Sequence, residues 1–261
     1  MQKAGDFARI FLMQKAESQS TTMEEMFEVG AHYGYSKTRR HPSVASYIYA
    51  TKNRTDIIDL EKTSFLLDKA LEFVKKLGAQ NKVILWVGTK PEAKDAIKSA
   101  AESLNMPYIN ERWIGGTLRN FSEIKKRIDE LENYQKESAA GGLEKYTKKE
   151  RLMMAKKMEK LSKYYFGLLN LKKIPDALFI VDTRAECIAA TESQKSNIPI
   201  IALANSDSNI KNIDYPIICN DAAIPSIKLF TASIVKAYKT GQLSASSEKP
   251  PSIDKPAPAE R

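Results

Sequence analysis

"KVILWVG", residues 82–88, decides the fold class. Between Lys82 and Gly88 every residue is apolar, with no alternation toward polar side chains. A strand that reads this way is buried on both faces. The glycine stops it, and "KPEAKDAIKSAAESLN" (90–105) then places Ala93, Ile97, Ala100 and Leu104 on one side of a helix. The same alternation recurs downstream. "MPYIN" (106–110), "DALFIVD" (176–182), "IPIIAL" (198–203) and "YPIICN" (215–220) read as strands. "RAECIAATESQKSN" (184–197) and "IPSIKLFTASIVKAY" (224–238) read as helices. Apolar strands separated by helices predict a parallel sheet covered on both sides.

The expected class is therefore α/β, doubly wound, and five strands point to the flavodoxin-like order. The connection between residues 110 and 176 is too long for an ordinary link. Phe121, Ile124, Ile128, Leu131 and Tyr134 step by threes and fours, as do Leu152, Ala155, Met158, Leu161, Tyr165 and Leu168. "SAAGG" (138–142) divides the two runs, so an antiparallel helical hairpin, a coiled coil, is expected to project from the domain.

Upstream, "LEKTSFLLDKALEFVKKL" (60–77) is helical by the spacing of Leu60, Leu67, Leu71, Val74 and Leu77. Before it, a basic loop around Lys37, Arg39 and Arg40 leads into a β-hairpin with "KNRT" (52–55) near its turn. Thr22 and Glu25 form a capping box for a short helix that Gly30 ends. The expected organisation is an N-terminal extension (1–22), an α/β domain (23–241) with the hairpin inserted at 121–172, and a disordered Ser/Pro/Ala-rich tail (242–261).

The charge balance narrows the partners. Lys and Arg number 41 against 32 Asp and Glu, a net +9. Such an excess favours polyanions, nucleic acid first and acidic membrane surfaces second. Residues 123–173 carry fourteen Lys and Arg against eight Asp and Glu, so the hairpin holds most of the excess. No apolar run reaches membrane length. Cys187 and Cys219 stand outside any CxxC pair, and His32 and His41 are not spaced to complete a zinc site. Two free thiols are the simplest reading, and a disulfide between them stays open.

No catalytic constellation is visible, and neither a cofactor nor a metal is expected. "WVGTK" (86–90) puts Gly88, Thr89 and Lys90 where a strand turns into a helix, a place suited to an anion. It lacks the spacing of a Walker A loop and of GxGxxG. Asp182 ends a strand near the crevice where doubly wound sheets gather ligands, and it equally suits the N-cap of the next helix, with Ala185 at N3. A nucleotide- or Mg²⁺-binding switch or enzyme using Lys90 and Asp182 is thus the alternative. The stronger candidates are basic segments interleaved with rings. "SKTRRHP" (36–42) carries Lys37, Arg39 and Arg40 beside Tyr33, Tyr35 and His41. "RWIGGTLRN" (112–120) carries Arg112 and Arg119, with Trp113 and Ile114 expected as core anchors. Such cations suit an RNA backbone. The candidate RNA contacts are Lys37, Arg39, Arg40, Lys90, Arg112 and Arg119.

Taken together, "GAHYG" (30–34), "RRHP" with "YI" (39–48), "IIDLEKT" (57–63), "VGTK" (87–90), "RWIGGTLRN" (112–120), "TKKE" (147–150), "IPDALFIVD" (174–182) and "IDYPI" (213–217) resemble the bacterial small-subunit ribosomal protein S2 family. The stretches occur in the family's order. The resemblance implies a flavodoxin-like domain with a protruding coiled-coil hairpin. It also implies a structural, non-enzymatic role in the small ribosomal subunit, supporting translation in the cytoplasm. The implied partners are small-subunit ribosomal RNA, neighbouring ribosomal proteins and, where it is present, ribosomal protein S1. The chain departs from the family pattern at Tyr35, usually histidine; at His41, where a tryptophan–asparagine pair is usual; and at Arg119, usually threonine. The loop "NSDSNI" (205–210) exchanges acid and amide and lacks the usual proline, and Asp221 stands alone where two aspartates are usual.

Overall fold

The computed structural model describes residues 22–140 and 147–247. The extension expected at 1–22 therefore lies outside the described residues apart from Thr22, as do the glycines of the hairpin's turn. The chain opens with α1 (Met23–Glu28), capped reciprocally by Thr22 and Glu25. Gly30 then takes a left-handed φ of 70° and turns the chain out of that helix.

A small antiparallel sheet follows, made of β1 (Tyr33–Ser36), β2 (Ile48–Lys52) and β3 (Thr55–Ile58) in the order β1-β3-β2. Asn53 and Arg54 close the β2–β3 hairpin with φ of 50° and 63°. Two consecutive left-handed residues match the twist of paired strands. The hairpin agrees with the sequence reading, whereas β1 is a third strand that the reading missed. Its YGYS is too short to show a period and gains its hydrogen bonds from β3. Between β1 and β2 the basic loop winds into 3-10 turns at Lys37–Arg39 and Pro42–Tyr47.

The main domain then alternates α2 (Leu60–Ala79), β4 (Ile84–Val87), α3 (Pro91–Ser103), β5 (Tyr108–Ile109), α4 (Phe121–Ala139), α5 (Lys148–Tyr165), β6 (Ala177–Val181), α6 (Cys187–Lys195), β7 (Ile200–Ala204), β8 (Tyr215–Ile218) and α7 (Ile224–Ser247). The five strands are parallel, in the order β5-β4-β6-β7-β8. That is the doubly wound, flavodoxin-like arrangement.

The period of two in each strand divides the core. Ile84, Trp86, Phe179, Val181, Ile201 and Leu203 face α2, α3 and α7. Leu85, Val87, Leu178, Ile180, Ile200 and Ala202 face the side of α4, α5 and α6. Trp86 and Phe179 are fully buried and meet ring to ring at 4.7 Å. The helices α2 and α7 approach backbone to backbone. A side chain at Gly78 would overlap the Tyr238 carbonyl, and one at Gly241 would overlap the Lys75 carbonyl.

The last helix continues to Ser247, beyond residue 241 where the sequence reading closed the domain. "TGQLSASS" holds no proline, and Gly241 is pinned against α2, so the helix continues past that boundary. The rest of the expected tail, 248–261, lies outside the described residues.

The inserted segment forms two helices in contact. Ile124, Ile128, Leu131, Met158 and Tyr165 join the same buried cluster as β6. Glu130 on α4 pairs with Lys157 on α5 across their surface.

Candidate functional site

The carboxyl ends of β4, β6, β7 and β8 converge on one side chain. Lys90, which precedes α3, places its Nζ 2.6 Å from Asp182 and 2.8 Å from Asp221. The Tyr35 hydroxyl lies 3.3 Å away. Asn205 donates its amide to the other oxygen of Asp221 at 2.8 Å. Burial alone would lower the Lys90 pKa, but the carboxylates of Asp221 and Asp182 outweigh it and hold the ammonium well above its ordinary value. Asp221 is pushed up, chiefly by burial, with Lys90 opposing and the charge of Asp182 adding to the rise.

The N-terminal segment closes over this network. The Tyr35 amide donates to the Ser206 hydroxyl at 2.8 Å, and the His41 amide donates to the Ser206 carbonyl at 2.9 Å. The crevice that binds ligands in related folds is thus filled by the chain's own Lys90, Tyr35 and Ser206. Asp182 caps the turn at 183–186 rather than the helix itself, which begins at Cys187 with Glu186 at its N-cap. Its Oδ1 accepts the amides of Arg184 at 3.0 Å and Ala185 at 3.2 Å, and its φ of 65° is the bend that aims it there. Beside it the Thr89 hydroxyl donates to Glu186, whose pKa burial raises.

The six candidate cations fall into two groups. Arg40 and Lys90 are turned inward. Arg40 grips Asp56 through two nitrogens and holds that fully buried carboxylate below its ordinary range, with Thr51 assisting. Lys37, Arg39, Arg112 and Arg119 are exposed. Arg39 reaches Asp207 at 2.9 Å and lies 4.3 Å over the Tyr35 ring, yet half of its side chain meets solvent. Arg184 approaches the same Asp207 oxygen at 2.6 Å, also about half exposed. Arg184 was not among the cations singled out in the sequence, because its place depends on Asp207, 23 positions away. A cation one turn after a strand end was the available signal.

Two concave clefts, each of about 560 Å³, adjoin at Cys187. One is bounded by Arg39, Arg184 and Asp207, the other by Arg119, Glu192 and Lys195. Lys195 was likewise not singled out by the sequence. Cys187 is exposed and Cys219 buried, and both are free thiols.

The glycine pair of "RWIGGTLRN" does hold an anion, but one from its own chain. Gly116 takes φ of 92° and donates its amide to Glu192 Oε1 at 2.5 Å, while Leu118 donates to Oε2 at 3.3 Å. Trp113 is buried in the core and Ile114 packs at its edge, as the sequence suggested. Arg112 and Arg119 flank this turn in solvent.

Residues 26–241 match the family described as ribosomal protein S2. The chain belongs to the ribosomal protein S2 family. Among similar proteins is the small ribosomal subunit protein uS2 of Wolinella succinogenes, 40% identical over 238 residues, covering 91% of this chain and 88% of that protein. The uS2 protein of Salinibacter ruber is 40% identical over 224 residues, covering 86% of this chain and 70% of that protein.

Of the positions read from the sequence as departures, Tyr35, His41, the 205–210 loop and Asp221 lie at or beside the filled crevice, and Arg119 lies apart at the other cleft. Tyr35 lies between Arg39 and Lys90, with its hydroxyl raised in pKa by burial and then by Asp221. His41 turns its Nδ1 to Ser43, at 2.8 Å from the hydroxyl. The lone Asp221 is fully buried and has its partners in Lys90 and Asn205. Among the described residues no helix is long and apolar enough to cross a membrane.

Proposed function

We propose that this chain is a non-enzymatic, structural constituent of the small ribosomal subunit. In this reading it is held on small-subunit ribosomal RNA by contacts to the phosphate backbone and works ribosome-bound in the cytoplasm. The similar proteins carry the name of that subunit. The observation that carries the contact mode is the pair of clefts joined at Cys187, with exposed arginines on their rims. Guanidinium groups fork onto phosphate oxygens, and a concave surface lets several act on one backbone.

Arg39, Arg112, Arg119 and Lys37 supply the phosphate contacts, joined by Arg184 and Lys195. Arg40 and Lys90 act one step removed: they anchor the loops that present the others. The functional domain spans 23–241. The α4–α5 pair within 121–172 serves as an arm toward neighbouring ribosomal proteins, with S1 one such partner.

The test is the salt dependence of affinity for small-subunit RNA. Each phosphate contact released should change the slope of log affinity against log salt by about 0.7–0.9. Arg39→Ala and Arg119→Ala should each flatten that slope without altering base preference. Unchanged slopes in both variants would sink the contact assignment. A protein that runs free of subunits in a low-salt gradient would sink the reading as a whole.

A further inference from the structure

The small antiparallel sheet has two unlike faces. Residues directly opposed in an antiparallel ladder share a face. Thr51 opposes Asp56, and Ile48 opposes Ile58. This is the inner face: Thr51 donates to Asp56 at 2.9 Å, and Ile58 packs with Val44 and Ile218. Tyr33 and Ala50 oppose Ile57, while Ser36 and Lys52 oppose Thr55. These residues form the outer face.

Three features of the outer face point to one occupant. Asp56 is the single carboxylate in the three strands and it faces inward, so the outer face carries no negative side chain. Lys52 and Arg54 are exposed at the hairpin tip, and the Lys37 amide bonds to the Arg54 carbonyl at 2.9 Å, which brings a third cation there. Among the described residues, none of these three forms an ion pair. At the opposite end Tyr33, 54% exposed, leans tilted against His32 at 4.1 Å, and Phe27 stacks on the other side of His32 at 4.5 Å. Burial lowers the His32 pKa, so the middle ring holds a proton less readily than a free imidazole.

We infer that this face is a platform for a short unpaired RNA segment, with a base stacked on Tyr33 and its phosphates held by Lys52, Arg54 and Lys37. Open antiparallel sheets with an exposed ring and rimming cations suit single strands, because every base offers a π-face. A protein partner would ask for a contiguous apolar centre. Here Ser36, Ala50 and Thr55 surround Tyr33 and Ile57, and the exposed Tyr49, at the bulge between Ile48 and Ala50 on the edge strand, adds a second ring beside them rather than a continuous apolar centre. The acidic α1, with Glu24 and Glu28 beside Phe27, repels phosphate, so the strand runs from Tyr33 toward the hairpin tip. The inference rests on the RNA-binding reading and shares Lys37 with it, but Tyr33, Lys52 and Arg54 lie outside the two clefts.

The experiment titrates the full chain with a short fluorescent polyuridine at low salt. Tyr33→Leu should weaken binding about tenfold, and Tyr33→Phe should stay within about twofold of the parent. Joint replacement of Lys52 and Arg54 by alanine should weaken binding and flatten its salt slope. Arg119→Ala should leave polyuridine binding intact while weakening binding to folded small-subunit RNA. Polyuridine binding that survives Tyr33→Leu overturns the platform. If it is lost only with Arg119→Ala, the clefts alone bind RNA and the platform falls while the wider reading stands. In intact small subunits, photo-crosslinking from position 33 identifies the source. A crosslink to ribosomal or to messenger RNA supports the platform, and a crosslink only to protein overturns it.

Discussion

Lys90 and Arg119 each stand within three residues of a glycine that follows a strand, and the fold gives them opposite surroundings. Lys90 lies among buried carboxylates with 21% of its side chain exposed, whereas Arg119 stands in solvent at the rim of a cleft. The difference teaches that a basic residue at a strand end is assigned by its long-range neighbours. Lys90 meets Asp182 and Asp221 because the parallel strands β6 and β8 both end on the carboxyl side of the sheet. Arg119 has only its own turn beside it, whose Gly116 and Leu118 amides are already taken by Glu192.

The sharpest way to break this contrast is Lys90→Met. It leaves Asp221 buried without its cation, at a cost of about 3–5 kcal/mol at neutral pH. Asp221 already takes its proton more readily when folded, through burial and the charge of Asp182. Losing Lys90 removes the opposing influence. Because the native state then binds the proton preferentially, the variant should regain stability as pH falls through the raised pKa. Urea unfolding at several pH values reads this out. A variant that keeps full stability and loses only RNA affinity would place Lys90 with the exposed group.

Asp56→Asn comes next, at about 1.5–3 kcal/mol, for the charged hydrogen bonds to Arg40. The native carboxyl lies below the ordinary 3.8, first through that hydrogen bond. Its contribution is therefore complete above the unfolded value and disappears as pH falls through the lowered native one. The variant should lose that part of the acid limb in chemical denaturation. If both proteins weaken identically below pH 4, the pair is not the source.

Arg39→Ala should cost about 1 kcal/mol or less in stability, because Arg184 remains on Asp207. The smallest effect is expected for Glu130→Gln, which disrupts the surface pair with Lys157 at about 0.5 kcal/mol or less. Thermal melts of the two variants should lie close to the parent. A large loss for Arg39→Ala would move it into the structural group.

Much of this arrangement can be read along the chain. The apolar runs of β4, β6 and β7 show burial on both faces, and "KNRT" marks a hairpin tip that the left-handed Asn53 and Arg54 realise. The capping box of α1 is local and legible for the same reason. The inward turn of Lys90 is not local: it finds Asp221 across 131 positions, and the exposed Arg39 finds Asp207 across 168, whereas Arg40 meets Asp56 only 16 positions on, through the pairing of the small sheet. No periodicity records such meetings. The glycine pair was readable as a sharp turn, but its anion, Glu192, lies 76 positions away from Gly116.

The close crossing of α2 and α7 has a consequence in time. Ile227, Phe230, Ile234 and Tyr238 of the final helix complete the core on one side of the sheet, and Gly78 and Gly241 admit no looser fit. While the chain is being synthesised, Trp86 and Phe179 have one wall missing until residues 224–241 have been made. The fold is thus sealed late, from its C-terminal side, and a nascent chain halted before α7 exposes an apolar sheet face that a chaperone would have to cover.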